Sequence, residues 1–303
     1  MRGESLNPKR IKRIRRLRND FSVRYDSQFM QSLKRFSARP RRFFAGALIL
    51  TGAVVLSGCL PPPPPPPVGP GTIAGPSELN AAQIAAYVCS VKNCAPGSNV
   101  PPSWKPEITP EQMAQLYIDE GNAAGVRGDI AFVQSIWETG WFAWPNSPDP
   151  ATVPVPAPGD NTWAGFVLAR DHNYCGMGAY GGSTRFMRKD FPYQGVRAQI
   201  QHLRNYADAG SRSTNLGYPM EPRPYLTASS YDSFTYKGKA PLWVDLNGKW
   251  AVPGDTYGQN ILRIYNDMRA SVGLGPVTPT GDMGVASELD SWGSDLLDAT
   301  ARN

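Results

Sequence analysis

Seven consecutive prolines at residues 61–67 set the limits of any fold this 303-residue chain can adopt. Proline fixes its own φ and lacks an amide donor, so such a run is shut out of helix interiors and sheet ladders and settles into extended polyproline II. At roughly 3 Å per residue it is a semi-rigid spacer with a reach of some tens of ångströms. A core must therefore be built after it, which leaves a folded part of roughly 200 residues. The spacing of features assigns residues 59–76 to a linker, 77–275 to the folded domain and 276–303 to an acidic tail. In the tail Val285, Leu289, Trp292 and Leu296 recur at helical spacing, as in a short amphipathic helix or a frayed terminus.

Charge is split along the chain. Through Phe43 there are 14 Lys and Arg against 3 acids, a net +11, and the remainder carries 17 against 22, a net −5. Standing alone, the basic arm would suggest nucleic acid or anionic lipid. It runs instead into the apolar residues 43–56, the order of a secretory signal, so no nucleic-acid partner is expected. The apolar run ends in Leu56-Ser-Gly-Cys59, which resembles the bacterial lipobox. That resemblance implies a signal over residues 1–58, lipidation of Cys59 and an extracytoplasmic lipoprotein anchored to the bacterial membrane. Met30 is an alternative start, because the basic segment before it is longer than a signal needs. The rival is an uncleaved anchor, for which about fourteen apolar residues are short of the roughly twenty that span a bilayer.

Within the folded part, Ile130, Val133, Gln134 and Trp137 share one face of a helix that Gly140 would cap. Glu138 then falls in the last turn. There the negative end of the helix dipole disfavours a carboxylate, and Trp137, Trp141, Phe142 and Trp144 can exclude water around it. Both effects raise its pKa, as general-acid cleavage of a glycosidic bond requires. The alternative is a helix-terminal Glu facing solvent.

Gln134-Ser-Ile-Trp-Glu138-Thr-Gly140 resembles the Q-S-x-x-E-[ST]-G signature of the bacterial peptidoglycan glucosaminidases, glycoside hydrolase family 73. Two further stretches follow in the family's order: His172-Asn-Tyr-Cys-Gly-Met-Gly-Ala179, similar to its N-N-F loop, and the helix from Gly195 to Tyr206. A closing stretch from Trp250 to Leu262 resembles the family's tyrosine-bearing segment and brings Tyr257. The resemblance runs from about Thr109 to Val272, with residues 145–158 standing as a proline-laden insertion. It implies an α+β, mainly α, lysozyme-like domain with a small variable lobe over the cleft. It also implies an endo-β-N-acetylglucosaminidase acting on peptidoglycan glycan strands, with Glu138 as proton donor.

Such a hydrolase usually needs a second carboxylate, for which Asp160 and Asp171 are the candidates, each also readable as a turn residue. The substrate's own N-acetyl group is a recognised replacement. Tyr257 is either a catalytic hydrogen-bonding group or a packing aromatic. Gln134, Trp137, Trp141, Asn173 and Tyr174 are expected to bind substrate, with Trp144 and Trp163 as further flat faces. Cys89 and Cys94 are the expected disulfide, and Cys175 is read as a packing residue ahead of a nucleophile beside His172. Two histidines without clustered cysteines give no zinc spacing, so neither metal nor cofactor is expected. A monomer is expected, since no heptad appears. The alternatives to hydrolysis are a lytic transglycosylase on the same fold and a non-catalytic wall-binding lipoprotein.

Overall fold

The computed structural model describes Pro65 and residues 69–154, 162–164, 166–180, 183–222 and 227–280. The expectations for the signal, Met30, Cys59, the spacer other than Pro65, Asp160 and the tail beyond residue 280 lie outside the described residues. The described chain is mainly helical, with one small antiparallel sheet.

Local sequence starts and stops the helices. At α1 (Ala81–Lys92), Asn80 accepts from the Gln83 amide while the Gln83 side chain returns to the Asn80 amide. Thr109 and Gln112 make the same box at α2 (Pro110–Ala124), where proline occupies the first turn and Gly125 ends the helix in the left-handed region. Past α1, Asn93 turns the chain at φ 53°, and Cys89 is disulfide-bonded to Cys94.

α3 (Gly128–Thr139) is the central helix. Residues 128–136 and Thr139 are all buried, and only Trp137 and Glu138 escape. Twelve residues make a marginal helix in water, so its stability comes from packing. It lies against α2, against α4 (Pro192–Ala207) and against α6 (Tyr257–Ala270). Fully burying Ile130, Phe132, Val133 and Ile136 contributes about 1.5–3 kcal/mol each. Phe132 meets Tyr117 edge-on at 5.6 Å and Phe142 at 5.2 Å, and Phe142 meets Trp104 at 4.6 Å, which ties the residues after α3 to the α2 side of the core.

Between α3 and α4 run β1 (Thr162–Ala164), β2 (Ala179–Tyr180) and β3 (Ser183–Met187), ordered β1-β3-β2, with Trp163 opposite Phe186 and Ala179 opposite Thr184. The short α5 (Ala228–Asp232) precedes a long irregular stretch leading to α6.

Both expected domain boundaries move. The linker expected over residues 59–76 ends earlier, because Thr72, Ile73 and Ala74 are buried. Ile73 donates to the Pro241 carbonyl at 2.8 Å and accepts from the Arg127 amide at 2.9 Å, and bridges join Thr72 to Leu242 and Ala74 to Val126. A glycine- and proline-rich composition reads as linker, but these partners lie far along the chain, beyond the reach of local pattern. At the other end the domain extends past residue 275, because Val277 is buried and Asn266 bonds both its amide and its carbonyl. No helix among the described residues is long and apolar enough to cross a membrane.

Candidate active site

Glu138 sits in the last turn of α3, and Gly140 closes that turn at φ 59° with its amide on the Ile136 carbonyl. Trp141, Phe142 and Trp144 then also adopt positive φ, at 66°, 56° and 43°. Left-handed backbone at a bulky residue costs on the order of 1–3 kcal/mol and persists where surroundings over-determine it, often at functional sites. Thr139 supplies much of that restraint: its hydroxyl accepts from the Phe142 amide and its carbonyl from the Trp144 amide, both at 2.8 Å. The strained hook places Trp141 half-buried against Tyr87, with the Lys92 ammonium 4.9 Å from its ring, and leaves Trp137 42% exposed beside Glu138.

The half-buried Glu138 carboxylate receives two donors on one oxygen. The Tyr257 hydroxyl and the Trp250 indole N–H, the latter at 3.1 Å, both reach Oε1. Among the described residues Oε2 takes no hydrogen bond. It faces Gly176, where an added Cβ would lie 3.6 Å away. Burial pushes the Glu138 pKa up to about 7, against the opposing pull of Tyr257 and then Trp250. No neighbouring carboxylate among the described residues takes part in that shift.

Tyr257 is aimed at Glu138 by a directional chain of amides. Gln199 on α4 accepts from the Tyr117 hydroxyl at 2.7 Å and from Ser135 at 3.0 Å, which turns its amide nitrogen toward Gln134 Oε1 at 2.8 Å. The Gln134 nitrogen must then face Tyr257, donating to its oxygen at 2.8 Å, so the phenolic proton is left for Glu138. Burial, then the Glu138 charge, holds the Tyr257 pKa well above its usual value, so the phenol stays protonated. Gln134, expected to touch substrate, is fully buried, and the correction is that it orients Tyr257.

The loop after β1 needs the same correction. Asn173 is buried and clamps the turn, donating to the Met177 carbonyl and accepting from the Met177 amide, each at 2.9 Å. Tyr174 is buried beneath it against Phe142 and Trp144, its hydroxyl 3.2 Å from His172 Nδ1. Neither side chain lines an open cleft; together they fix the turn that presents Gly176 to Glu138. Asp171 accepts from the Leu168 amide at 2.8 Å and lies 3.7 Å from Arg188, and burial raises its pKa against both partners. Those are the contacts of a turn residue. Cys175 packs with Met177, Met187 and Ala198, a cluster on which Trp250 rests.

Trp250 and Gln199 carried no expected role. Trp250 lies in the stretch that contains Tyr257, and its seven-residue spacing from that tyrosine is the one available signal. Gln199 sits beside Val196, Ile200 and Leu203, the buried apolar residues of α4, where nothing local marks a buried amide. A separate cavity of about 560 Å³, lined by Ala74, Asn122, Gly125, Val126, Arg204 and Asp208 among others, is built from residues at the opposite end of α3 from Glu138. Its charged residues already pair with each other at 3.5 Å. Among the described residues no three His, Cys, Asp or Glu side chains gather so as to hold a metal ion.

No family model matches the chain, and no solved structure matches it. A Borreliella burgdorferi protein, described as an uncharacterized protein, is 31% identical over 152 residues. The match covers 48% of this chain and 60% of the relative's length.

Proposed function

We propose that this chain is a peptidoglycan hydrolase, an endo-β-N-acetylglucosaminidase that cleaves the glycan strand with Glu138 as general acid. The observation that carries the reading is the Glu138 carboxyl group, held through one oxygen by Tyr257 and Trp250 in surroundings whose burial pushes its pKa up to about 7. Oε2 then carries the proton and gives it to the leaving glycosidic oxygen. As the carboxylate forms, the two donors on Oε1 stabilise it, and the proton is recovered from the attacking water. A helix-borne acid followed by a small antiparallel sheet fits a lysozyme-like domain whose lobe overhangs a cleft. With no second carboxylate beside Glu138 among the described residues, the substrate's N-acetyl group is the candidate partner at the anomeric carbon. In this reading Cys59 carries lipid at the cell surface, and the proline run sets the reach toward the wall.

The solitary acid also favours a second reading, a lytic transglycosylase, in which a sugar hydroxyl replaces water. Mass spectrometry of muropeptides released from purified sacculi by the full chain separates the two. New reducing N-acetylglucosamine ends, absent with Glu138→Gln, are the expected result. Anhydro-muramic ends assign the second reading, and products unchanged by Glu138→Gln overturn both.

A further inference from the structure

An aromatic cluster adjoins Glu138 through Trp250. Tyr206 on α4 is buried and backs Tyr236 in a stacked pair, with centroids 6.1 Å apart and planes 12° apart. Phe234 stands edge-on to both, at 4.9 Å from Tyr206 and 5.9 Å from Tyr236. His202 lies one helical turn before Tyr206 and touches Tyr206, Phe234 and Trp250 at 4.9, 5.2 and 5.0 Å. Trp250, 5.6 Å from Tyr206, closes the row, and its indole N–H is the one that reaches Glu138.

Backbone bonds hold the row in place. Gly238 and Ala240 donate to the carbonyls of Asn205 and Tyr206, each at 3.0 Å, which lays the loop bearing Phe234 and Tyr236 along α4. The Tyr206 hydroxyl donates to the Lys249 carbonyl at 3.1 Å, which fixes the residue before Trp250. The platform is thus preformed, so a ligand stacking on it loses little side-chain entropy. It is also accessible: Tyr236 is 36% exposed, and His202, Phe234 and Trp250 are half-buried.

A core aromatic cluster would be covered; here the Tyr236 ring is exposed, with Tyr206 stacked behind it and Phe234 edge-on at its side, and its hydroxyl supplies a polar rim. Flat apolar faces with polar rims suit the C–H faces and equatorial hydroxyls of a pyranose. Its continuity with Glu138 through Trp250 sets the occupant apart from an unrelated apolar partner.

We propose that Phe234, Tyr236, His202 and Trp250, backed by Tyr206, form a subsite that stacks a sugar ring of the glycan strand next to the bond Glu138 cleaves. The assignment rests on the hydrolase reading for its substrate class, and the test separates the two. Steady-state cleavage of soluble glycan strands is measured for the full chain, Tyr236→Ala, Phe234→Ala and the conservative Tyr236→Phe. Binding of a β-1,4-linked N-acetylglucosamine tetramer to Glu138→Gln is followed in parallel by intrinsic tryptophan fluorescence, with and without Tyr236→Ala. The expected result is a KM raised about ten-fold in the alanine variants, equivalent to about 1.4 kcal/mol, with kcat within two-fold and recovery in Tyr236→Phe. Cleavage with KM unchanged in both alanine variants overturns the subsite and leaves the hydrolase reading intact. Tetramer binding that depends on Tyr236, in a chain that cleaves nothing, retains the sugar site and overturns the hydrolase. Neither binding nor cleavage overturns both.

Discussion

The indole N–H of Trp250 and the carboxylate of Glu138, 112 residues apart in sequence, meet at 3.1 Å on the oxygen that also accepts from Tyr257. Hydrogen bonds to the charged form lower an acid's pKa, so these donors restrain a value that burial alone would carry higher.

Trp250→Phe removes one such donor while keeping an aromatic ring. The Glu138 pKa rises further, and the alkaline limb of kcat/KM moves up by about one unit, the scale of a 1.4 kcal/mol hydrogen bond. A pH–rate profile from pH 5 to 9 reads it. A limb that stays put or moves down shows that Glu138 is not the titrating acid.

On the proposed hydrolase reading, Glu138→Gln removes the proton donor and lowers turnover about 10²–10⁴-fold, with the fold kept. Its effect on stability depends on pH. The folded pKa of about 7 lies above the ordinary 4.5, so between these values the folded chain binds more protons than the unfolded one. The Glu138 contribution is therefore most favourable below pH 4.5 and declines as pH rises through 7. Thermal unfolding at pH 8 should find Glu138→Gln more stable than the parent by about 1–3 kcal/mol, with the gap closing at pH 4.

Arg127 is buried, donates to the Tyr265 hydroxyl at 2.8 Å, pairs with Glu78 at 2.8 Å and lies 3.6 Å from the fully buried Asp129. Asp129 in turn anchors the amides of Glu78 and Leu79 at 2.7 and 3.2 Å. Arg127→Met takes the buried counter-charge from that carboxylate, which keeps its bonds from the Tyr265 hydroxyl and three backbone amides, and should destabilise the domain by about 3–5 kcal/mol in urea melts. A loss under about 1 kcal/mol would show that those hydrogen bonds hold the charge without Arg127.

Gly195 is where α4 crosses the His172–Tyr174 turn. A Cβ there would sit 1.8 Å from the His172 carbonyl oxygen and 3.2 Å from the Tyr174 ring, so Gly195→Ala forces α4 and the turn apart and disturbs the seat of Gly176 beside Glu138. Activity should fall more than ten-fold, and stability by several kcal/mol as for other overpacked sites. Wild-type activity in this variant would mean that the turn can shift without disturbing the acid.

How far the sequence foretold these arrangements depends on the range of the interaction. α3, its end at Gly140 and the place of Glu138 in its last turn were legible, because periodicity and a glycine cap are local signals. Tyr257 was legible as a candidate, but its geometry was not. The relay from Gln199 through Gln134 joins residues 65 apart, and no pattern within one helix reveals which of its polar side chains will be buried. Asn173 and Tyr174 were placed in the right turn and given the wrong orientation for the same reason: a short loop does not declare which side the core lies on. Residues 69–76 had the composition of a spacer, and pairing with residues 125–127, 241 and 242 makes them part of the domain.

That last feature has a mechanical meaning. The chain enters the domain with the Gly69 carbonyl held by Arg127 at 2.9 Å, and Ile73 is clamped between Pro241 and Arg127. Because the contacts of Gly69, Ile73 and Ala74 fall together on Arg127, Val126 and Pro241, residues 69–74 leave the domain only when several bonds break at once. These contacts meet at the first-turn end of α3, where the 1.5 Å rise per residue puts Glu138 roughly 15 Å from Gly128. Residues 69–74 and Glu138 are thus seated at opposite ends of one buried helix.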